Sequence, residues 1–235
     1  VTRSTIPFCD GNISPVHGCE RISPGCLHCY AWTWAKRFRQ GDMAFRFDAD
    51  KLHDIERVKS GLYFLGHMTD LFHATPLSRG WTKQVMDATR ATMARFLTLT
   101  KRAENMATFR TSGYWSNVAC GVTAENQEMW DKRVPILQSI PAPMRFVSVE
   151  PMLGPVTLSG LAHNGHGISW LFAGPETGGG ARPCDPTWIT DLAAECVDRH
   201  VAFFDKRDPA TPGFTRREWA AGWEMNYEET RKTTA

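Results

Sequence analysis

Three cysteines, Cys19, Cys26 and Cys29, fall within the stretch "CERISPGCLHCY". The Cys-x6-Cys-x2-Cys spacing puts two thiols three residues apart on a turn, and Ser23-Pro24-Gly25 bends the chain toward the second of them. Thiolates suit zinc and iron–sulfur clusters alike. A structural zinc needs a fourth ligand, for which His17 and His28 are at hand, but no second ligand pair follows at finger spacing. A 4Fe-4S cluster needs only the three thiolates and keeps one iron open to a substrate or cofactor. Cys9, Cys120, Cys184 and Cys196 are scattered singly and read as small buried hydrophobes.

Other polar groups recur at a fixed place in a repeated unit: a short apolar run, a polar cluster at its end, then a helical pattern. The runs lie in "GLYFLGHMTDLFH" (61–73), "ARFLTLTKRAE" (94–104), "NVACGVTAENQ" (117–127), "MRFVSVEP" (144–151), "SWLFAGPETG" (169–178) and "VAFFDKR" (201–207). They are β-branched or aromatic and bounded by turn residues, which predicts buried strands. Helices are predicted over 29–40, 79–93, 124–138 and 186–200. Strands alternating with helices pair in parallel through right-handed crossovers. With a further strand expected before Cys9, the pattern predicts an α/β fold, a complete or partial (β/α) TIM-like barrel, with a doubly wound open sheet as the alternative.

In such folds the strand C-terminal ends share one face, where sites are built. Each predicted strand ends in a polar group: Thr69-Asp70 with His73, Thr100-Lys101-Arg102, Thr123 with Glu125-Asn126, Glu150, Glu176, and Asp205-Lys206. Together they predict a polar rim around one cavity, with helix capping as the plainer role for Thr123 or Asn126. The cysteines belong to a long loop at the same rim.

The chain is 42% hydrophobic and 22% charged, enough apolar residue to bury a core over 235 residues. A formal charge of +2 neither requires nor excludes a nucleic-acid partner, because a basic patch can hide in a neutral total. No apolar run approaches the roughly 18 residues of a membrane span. With no secretory pattern and an odd cysteine count, a reducing compartment, the cytoplasm, is expected. The unit 1–207 reads as the barrel domain. The extension 208–235, with "TRREWAAGWEMNYEETRK", is predicted to form an amphipathic helix that closes the barrel before fraying. The interleaved Trp32, Trp34, Lys36, Arg37 and Arg39 would fit phosphates and bases in a zinc-stabilised, non-catalytic nucleic-acid-binding module. The same pattern also fits an amphipathic helix with an aromatic inner face, which is the expectation adopted here.

The segments "PVHGCERISPGCLHCYA", "TDLFH", "LTKRAENM", "GVTAENQ", "SVEPMLGPV" and "HVAFFDKRD" occur in the order found in phage-encoded three-cysteine-motif proteins. Over residues 13–207 the chain thus resembles a phage family of radical S-adenosylmethionine (radical SAM) proteins that is similar to spore photoproduct lyase. The first cysteine gap is three residues longer than the commoner Cys-x3-Cys-x2-Cys, as in that subfamily. The family's Gly-Gly-Glu-Ser-Gly appears here as "AGPETG", and its "KQWG" as "DKRD".

The resemblance implies that Cys19, Cys26 and Cys29 ligate a 4Fe-4S cluster whose fourth iron is chelated by SAM. One electron would then cleave SAM to methionine and a 5′-deoxyadenosyl radical that abstracts hydrogen from substrate. For SAM it implies Thr69 and Asp70 at the amino group, Lys101 or Arg102 at the carboxylate, Glu150 or Glu125 at the ribose with Asn126 as a further candidate there, and Thr123 among the other cofactor-binding residues. His73, Arg102, Glu176, Arg182 and Lys206 would face the substrate. The implied substrate is a modified thymine in phage DNA or nucleotide, rearranged by an isomerase acting on an amino-acid adduct such as glycyl-thymine. A thymine-lesion repair lyase is the alternative. A flavodoxin or ferredoxin would donate electrons, and no membrane is involved.

Overall fold

The computed structural model describes residues 1–3, 6–39, 41–73, 75–161, 167–208, 210–211, 213–214 and 216–223. The strands are β1 (Thr2–Arg3), β2 (Gly11–Ile13), β3 (Val16–His17), β4 (Arg46–Phe47), β5 (Leu62–Leu65), β6 (Arg95–Thr100), β7 (Val118–Thr123), β8 (Arg145–Val149), β9 (Trp170–Ala173) and β10 (Ala202–Asp205). The helices are α1 (Tyr30–Phe38), α2 (Asp50–Arg57), α3 (Pro76–Thr89), α4 (Ala103–Met106), α5 (Gln127–Gln138) and α6 (Pro186–Asp198). Each predicted apolar run is a strand, because a sheet covered on both faces needs continuous apolar sequence. A strand does precede Cys9, the two-residue β1, but it pairs antiparallel; the first strand of the parallel run is β2, Gly11–Ile13, which follows Cys9.

The main sheet runs β1-β2-β5-β6-β7-β8-β9-β10. The β1–β2 pair is antiparallel and every later neighbour is parallel. Spatial order therefore follows chain order without reversal, whereas a doubly wound sheet reverses at a switch point. The helices confirm this. Ile55, Val85, Met86, Met106, Trp130, Val134, Leu137, Ile189 and Leu192, from α2 to α6, all pack in one cluster against the same sheet face. A sheet with its helices on one face and consecutive strands is a partial barrel. The fold is thus a mixed α/β half-barrel of seven parallel strands, and the doubly wound alternative is set aside.

The concave face carries its own cluster, with Leu62, Phe64, Leu97, Ala119, Phe146, Trp170, Phe172 and Phe204. Phe8, from the segment leading into β2, enters this space. It stacks on Phe172 at 4.3 Å and meets Trp170 and Phe204 edge-on. Gly121 is required here: a Cβ at that position would lie 2.3 Å from the Phe146 ring.

The C-terminal extension differs from expectation. The described residues 216–223 contain no helix. Their backbone pairs with β10 instead: Asp205 N donates to Arg216 O and Glu218 N to Phe203 O, both at 2.8 Å. Trp170 Nε1 donates to Glu218 O, Trp219 meets Phe204 edge-on, and Arg95 donates to Gly222 O. Trp170, Arg95 and Ala202 open their strands, so the strap crosses the N-terminal end of the half-barrel and stops it from below. Two-sided pairing with β10 wins over the amphipathic pattern. The rest of the predicted helix, 224–235, lies outside the described residues.

Candidate functional site: a cysteine loop pinned across the strand ends

The crossover from β2 to β5, residues 14–61, carries the cysteines, α1, the antiparallel β3–β4 pair and α2. It leaves from the C-terminal end of β2, so the cysteine loop lies at the mouth opposite the strap. Strand alternation decides which rim residues face that mouth. Lys101 continues the inward series of Leu97 and Leu99, Thr123 that of Ala119 and Gly121, and Glu150 that of Phe146 and Ser148. Lys206 continues that of Ala202 and Phe204. Their contacts agree. Lys101 Nζ is 3.5 Å from Thr123 Oγ1, Ser148 Oγ donates to Glu150 Oε2 at 3.0 Å, and Lys206 Nζ is 2.9 Å from Glu150 Oε1. Gly174 lies beneath that ion pair, where a Cβ would be 3.0 Å from the Glu150 carboxylate and 3.1 Å from Lys206.

A second set of rim residues grips the cysteine loop. Thr69 Oγ1 donates to Gly18 O. His73 Nε2 is 3.0 Å from Glu20 Oε2, with its ring against Phe45, and Arg102 Nη2 donates to Glu20 O at 3.4 Å. Gly25 N donates to Glu125 Oε1 at 3.1 Å, and Arg182 Nη2 donates to Pro24 O at 3.1 Å. These grips come from residues after β5, β6, β7 and β9. The loop is therefore spread across the mouth and tied to four strand ends.

A third set holds the grips. Asp70 pairs with Arg102 at 2.9 Å and also accepts from Phe72 N, Thr100 Oγ1 and Lys101 N. Glu125 pairs with Arg133 at 2.8 Å in full burial, and Arg133 also donates to Thr123 O at 2.7 Å. Burial alone would raise the Glu125 carboxyl. Hydrogen bonding to Ser23 and the charges of Arg133 and Lys101 outweigh it and bring it below the ordinary range. Glu176 accepts from Arg182 Nη2 at 2.5 Å and from Nε at 2.9 Å, which pushes its carboxyl down to about 2. Asp205 turns outward to Arg207 at 2.7 Å.

The sequence-derived candidates thus divide by position. Lys101, Thr123, Glu150 and Lys206 line the mouth. Thr69, His73, Arg102, Glu125 and Arg182 touch the cysteine loop, while Asp70 and Glu176 brace Arg102 and Arg182. Asn126 caps α5, its side chain accepting from Met129 N at 2.9 Å. Sequence reasoning missed Glu20, Arg133, Ser148 and Gly174. Period-2 alternation from Glu150 would have found Ser148; the others are set by contacts distant in sequence.

All described cysteines are free thiols. Cys9, Cys120 and Cys196 are buried, as expected of small hydrophobes, whereas Cys184 is half-buried. Burial, then the nearby Asp70 charge, pushes the Cys19 thiol up to about 11. Burial also disfavours the Cys26 thiolate, but Lys101 and hydrogen bonding from the Ile22 and Ser23 backbone prevail and lower it. Among the described residues no three His, Cys, Asp or Glu side chains are gathered as a metal shell, so neither His17 nor His28 completes one with the cysteines. The donor chemistry does fit a thiophilic metal. Three soft sulfurs share one loop, the Lys101 charge lowers the thiol of Cys26, and no disulfide consumes them. Beside the loop runs a groove of about 430 Å³, bounded by Ile22, Ser23 and Pro24 on one side and Lys101, Arg102 and Lys132 on the other.

Fold and site define a half-barrel α/β protein with a three-cysteine loop across its open mouth. A family model described as "Protein of unknown function (DUF5131)" matches residues 3–225, and the chain belongs to that family. No curated protein and no solved structure matches it. Among the described residues no helix is long and apolar enough to cross a membrane.

Proposed function

We propose that this chain is a radical SAM enzyme of the cytoplasm, acting on a thymine base in DNA. The observation that carries the reading is the placement of a Cys-x6-Cys-x2-Cys loop across the C-terminal mouth of a consecutive parallel α/β half-barrel. Cys19, Cys26 and Cys29 would hold a 4Fe-4S cluster, which when bound supplies, with SAM, one-electron cleavage of a carbon–sulfur bond. The remaining work belongs to the chain. Gly25–Glu125, Arg182–Pro24, Thr69–Gly18 and the Glu20 contacts hold the loop in register. Lys101 offers a cation to a carboxylate at the mouth, and Glu150, on Lys206, accepts from hydroxyl or ammonium groups. The aromatic floor of Phe8, Phe146 and Phe172, closed below by the strap, excludes water from a reactive intermediate.

For the substrate, the resemblance supports an isomerase rearranging an amino-acid adduct such as glycyl-thymine during DNA hypermodification. A thymine-lesion lyase uses the same machinery on damaged DNA. Electrons would come from a flavodoxin or ferredoxin. The test is anaerobic reconstitution with iron, sulfide, SAM and dithionite. A brown protein that forms 5′-deoxyadenosine and changes the mass of glycyl-thymine nucleosides is expected. Reversal of photoproducts alone selects the lyase. A colourless protein carrying one zinc overturns the enzyme reading.

A further inference from the structure

Helix α1 starts at the last cysteine of the loop, with Cys29 as its N-cap residue. Its nine residues contain three aromatics at spacings of four, Tyr30, Trp34 and Phe38, which share one stripe. The aromatic inner face expected from the sequence is reversed here. The buried residues of α1 are Ala31 and Ala35, while Tyr30, Trp34 and Phe38 are 56%, 42% and 60% exposed. Small alanines let the helix lie close to the protein body; the Trp34 and Phe38 rings are left outside, while Trp32 is half-buried and the Tyr30 hydroxyl donates to the His67 carbonyl.

Cations surround these rings. Arg39 lies 5.2 Å from the Trp34 ring, Arg37 5.1 Å from Phe38, and Arg21 of the cysteine loop 4.8 Å from Trp32. Trp34 and Phe38 are themselves 5.3 Å apart. Among the described residues, Arg21, Lys36, Arg37 and Arg39 form no ion pair with any carboxylate. Arg21, Arg37 and Arg39 thus lie over aromatic rings, and Arg39 is also within electrostatic reach of Asp42.

From this we infer that the outer face of α1 is a landing platform for single-stranded nucleic acid, with bases stacked on Trp34 and Phe38 and phosphates held by Arg37, Arg39 and Arg21. Stacking on aromatics flanked by arginine is how strands are held without sequence preference. A helix of this length presents about 12 Å of platform, room for a few stacked nucleotides. The charge favours a polyanion. A membrane-surface helix would segregate its cations to the face opposite the rings, whereas here the guanidinium groups lie over the rings themselves. The binding rests on α1 and the flanking Arg21 and Arg39. Only the fate of a base delivered to the mouth rests on the enzyme reading, since a target base must leave its stack to reach such a site.

The experiment is fluorescence anisotropy of a labelled oligothymidylate of about 20 nucleotides, titrated with full-length protein at roughly 50 to 200 mM salt. Wild type is expected to bind, and Trp34→Ala and Phe38→Ala each to weaken binding about tenfold, the loss of one base stack. The Arg37→Gln/Arg39→Gln double variant is expected to reduce the salt slope by about 1.4, two single-strand phosphate contacts. Circular dichroism melts confirm that each variant is folded, as exposed positions predict. A Cys19→Ser/Cys26→Ser/Cys29→Ser variant is expected to lose iron and keep binding, so failure of the cluster reading leaves this result standing. The inference is overturned if wild type does not bind the oligonucleotide, if the aromatic and arginine variants bind like wild type, or if the protein binds phosphatidylserine vesicles and no oligonucleotide.

Discussion

Glu125→Ala tests the mechanical core of the site. Glu125 is fully buried, and its Oε2 is 2.8 Å from Arg133 Nη1, whose side chain is 4% exposed. Removing the carboxylate leaves a buried guanidinium without its counter-charge, which costs 3–5 kcal/mol in typical cases, and about 3 here because the Thr123 carbonyl still accepts from Arg133. Gly25 N also loses its acceptor, which adds about 1 kcal/mol. Urea unfolding at neutral pH reads the total. With m at the upper end of the small-protein range, about 3 kcal/mol/M, the midpoint falls by about 1.3 M. Glu125→Leu/Arg133→Met, which removes both charges, is expected to recover most of that loss, since replacing a buried pair by apolar groups is close to neutral. A second readout separates the pair from the loop. Release of Gly25 should speed the reaction of Cys26 with a thiol reagent in Glu125→Ala, and the double variant should stay fast because it too lacks the acceptor. Single variants costing under about 1 kcal/mol and adding without coupling would refute the account of Glu125 as a buried brace.

Other consequences are open to simpler measurements. Glu176→Gln should cost about 1–2 kcal/mol near pH 7, discounted because Arg182 is partly exposed. The Glu176 carboxyl titrates at about 2 when folded against an ordinary 4.5, so its contribution is complete above about pH 4.5 and fades as pH falls through about 2. Wild-type and Glu176→Gln melting temperatures should therefore converge over that window; a constant gap would contradict the assignment. Gly121→Ala drives a Cβ into the Phe146 ring and should cost about 1–3 kcal/mol in chemical denaturation, with partial rescue by Phe146→Leu. Truncation after residue 215 strips the strap from Trp170, Phe203 and Phe204, so it should lower the melting temperature and expose the concave floor to a hydrophobic dye. Lys206→Met should leave iron content unchanged and lower 5′-deoxyadenosine yield, because it unpairs Glu150 at the mouth without touching the cysteine loop.

The strands were legible because burial on both sheet faces demands unbroken apolar runs, and the residues of β6 to β10 supply them. The first strand of the parallel run, Gly11–Ile13, is not legible in this way, because three residues with a central Asn carry no such signal. At the rim the sequence showed that polar residues gather, but not which way they turn. Lys101 and Arg102 are neighbours, yet one faces the mouth and the other pairs with Asp70 behind it. Asp205 and Lys206 divide in the same manner. Period 2 sorts such pairs once a strand's register is known, and that register comes from the sheet.

The grips on the cysteine loop lie beyond any local pattern, since Glu125 and Gly25 are separated by a hundred residues. They also change what the rim means. A residue such as Arg182 looks in sequence like a free cation awaiting a substrate, but its charge is already committed to Glu176 and to the Pro24 carbonyl. Lys206 and Glu150 are likewise committed to one another at 2.9 Å, whereas Lys101, among the described residues, forms no ion pair with a carboxylate. Helix α1 is the clearest case of physics overriding composition. Hydrophobicity alone would bury Trp34 and Phe38, but the tight approach at Ala31 and Ala35 leaves no room for them, and what composition assigns to a core becomes a surface.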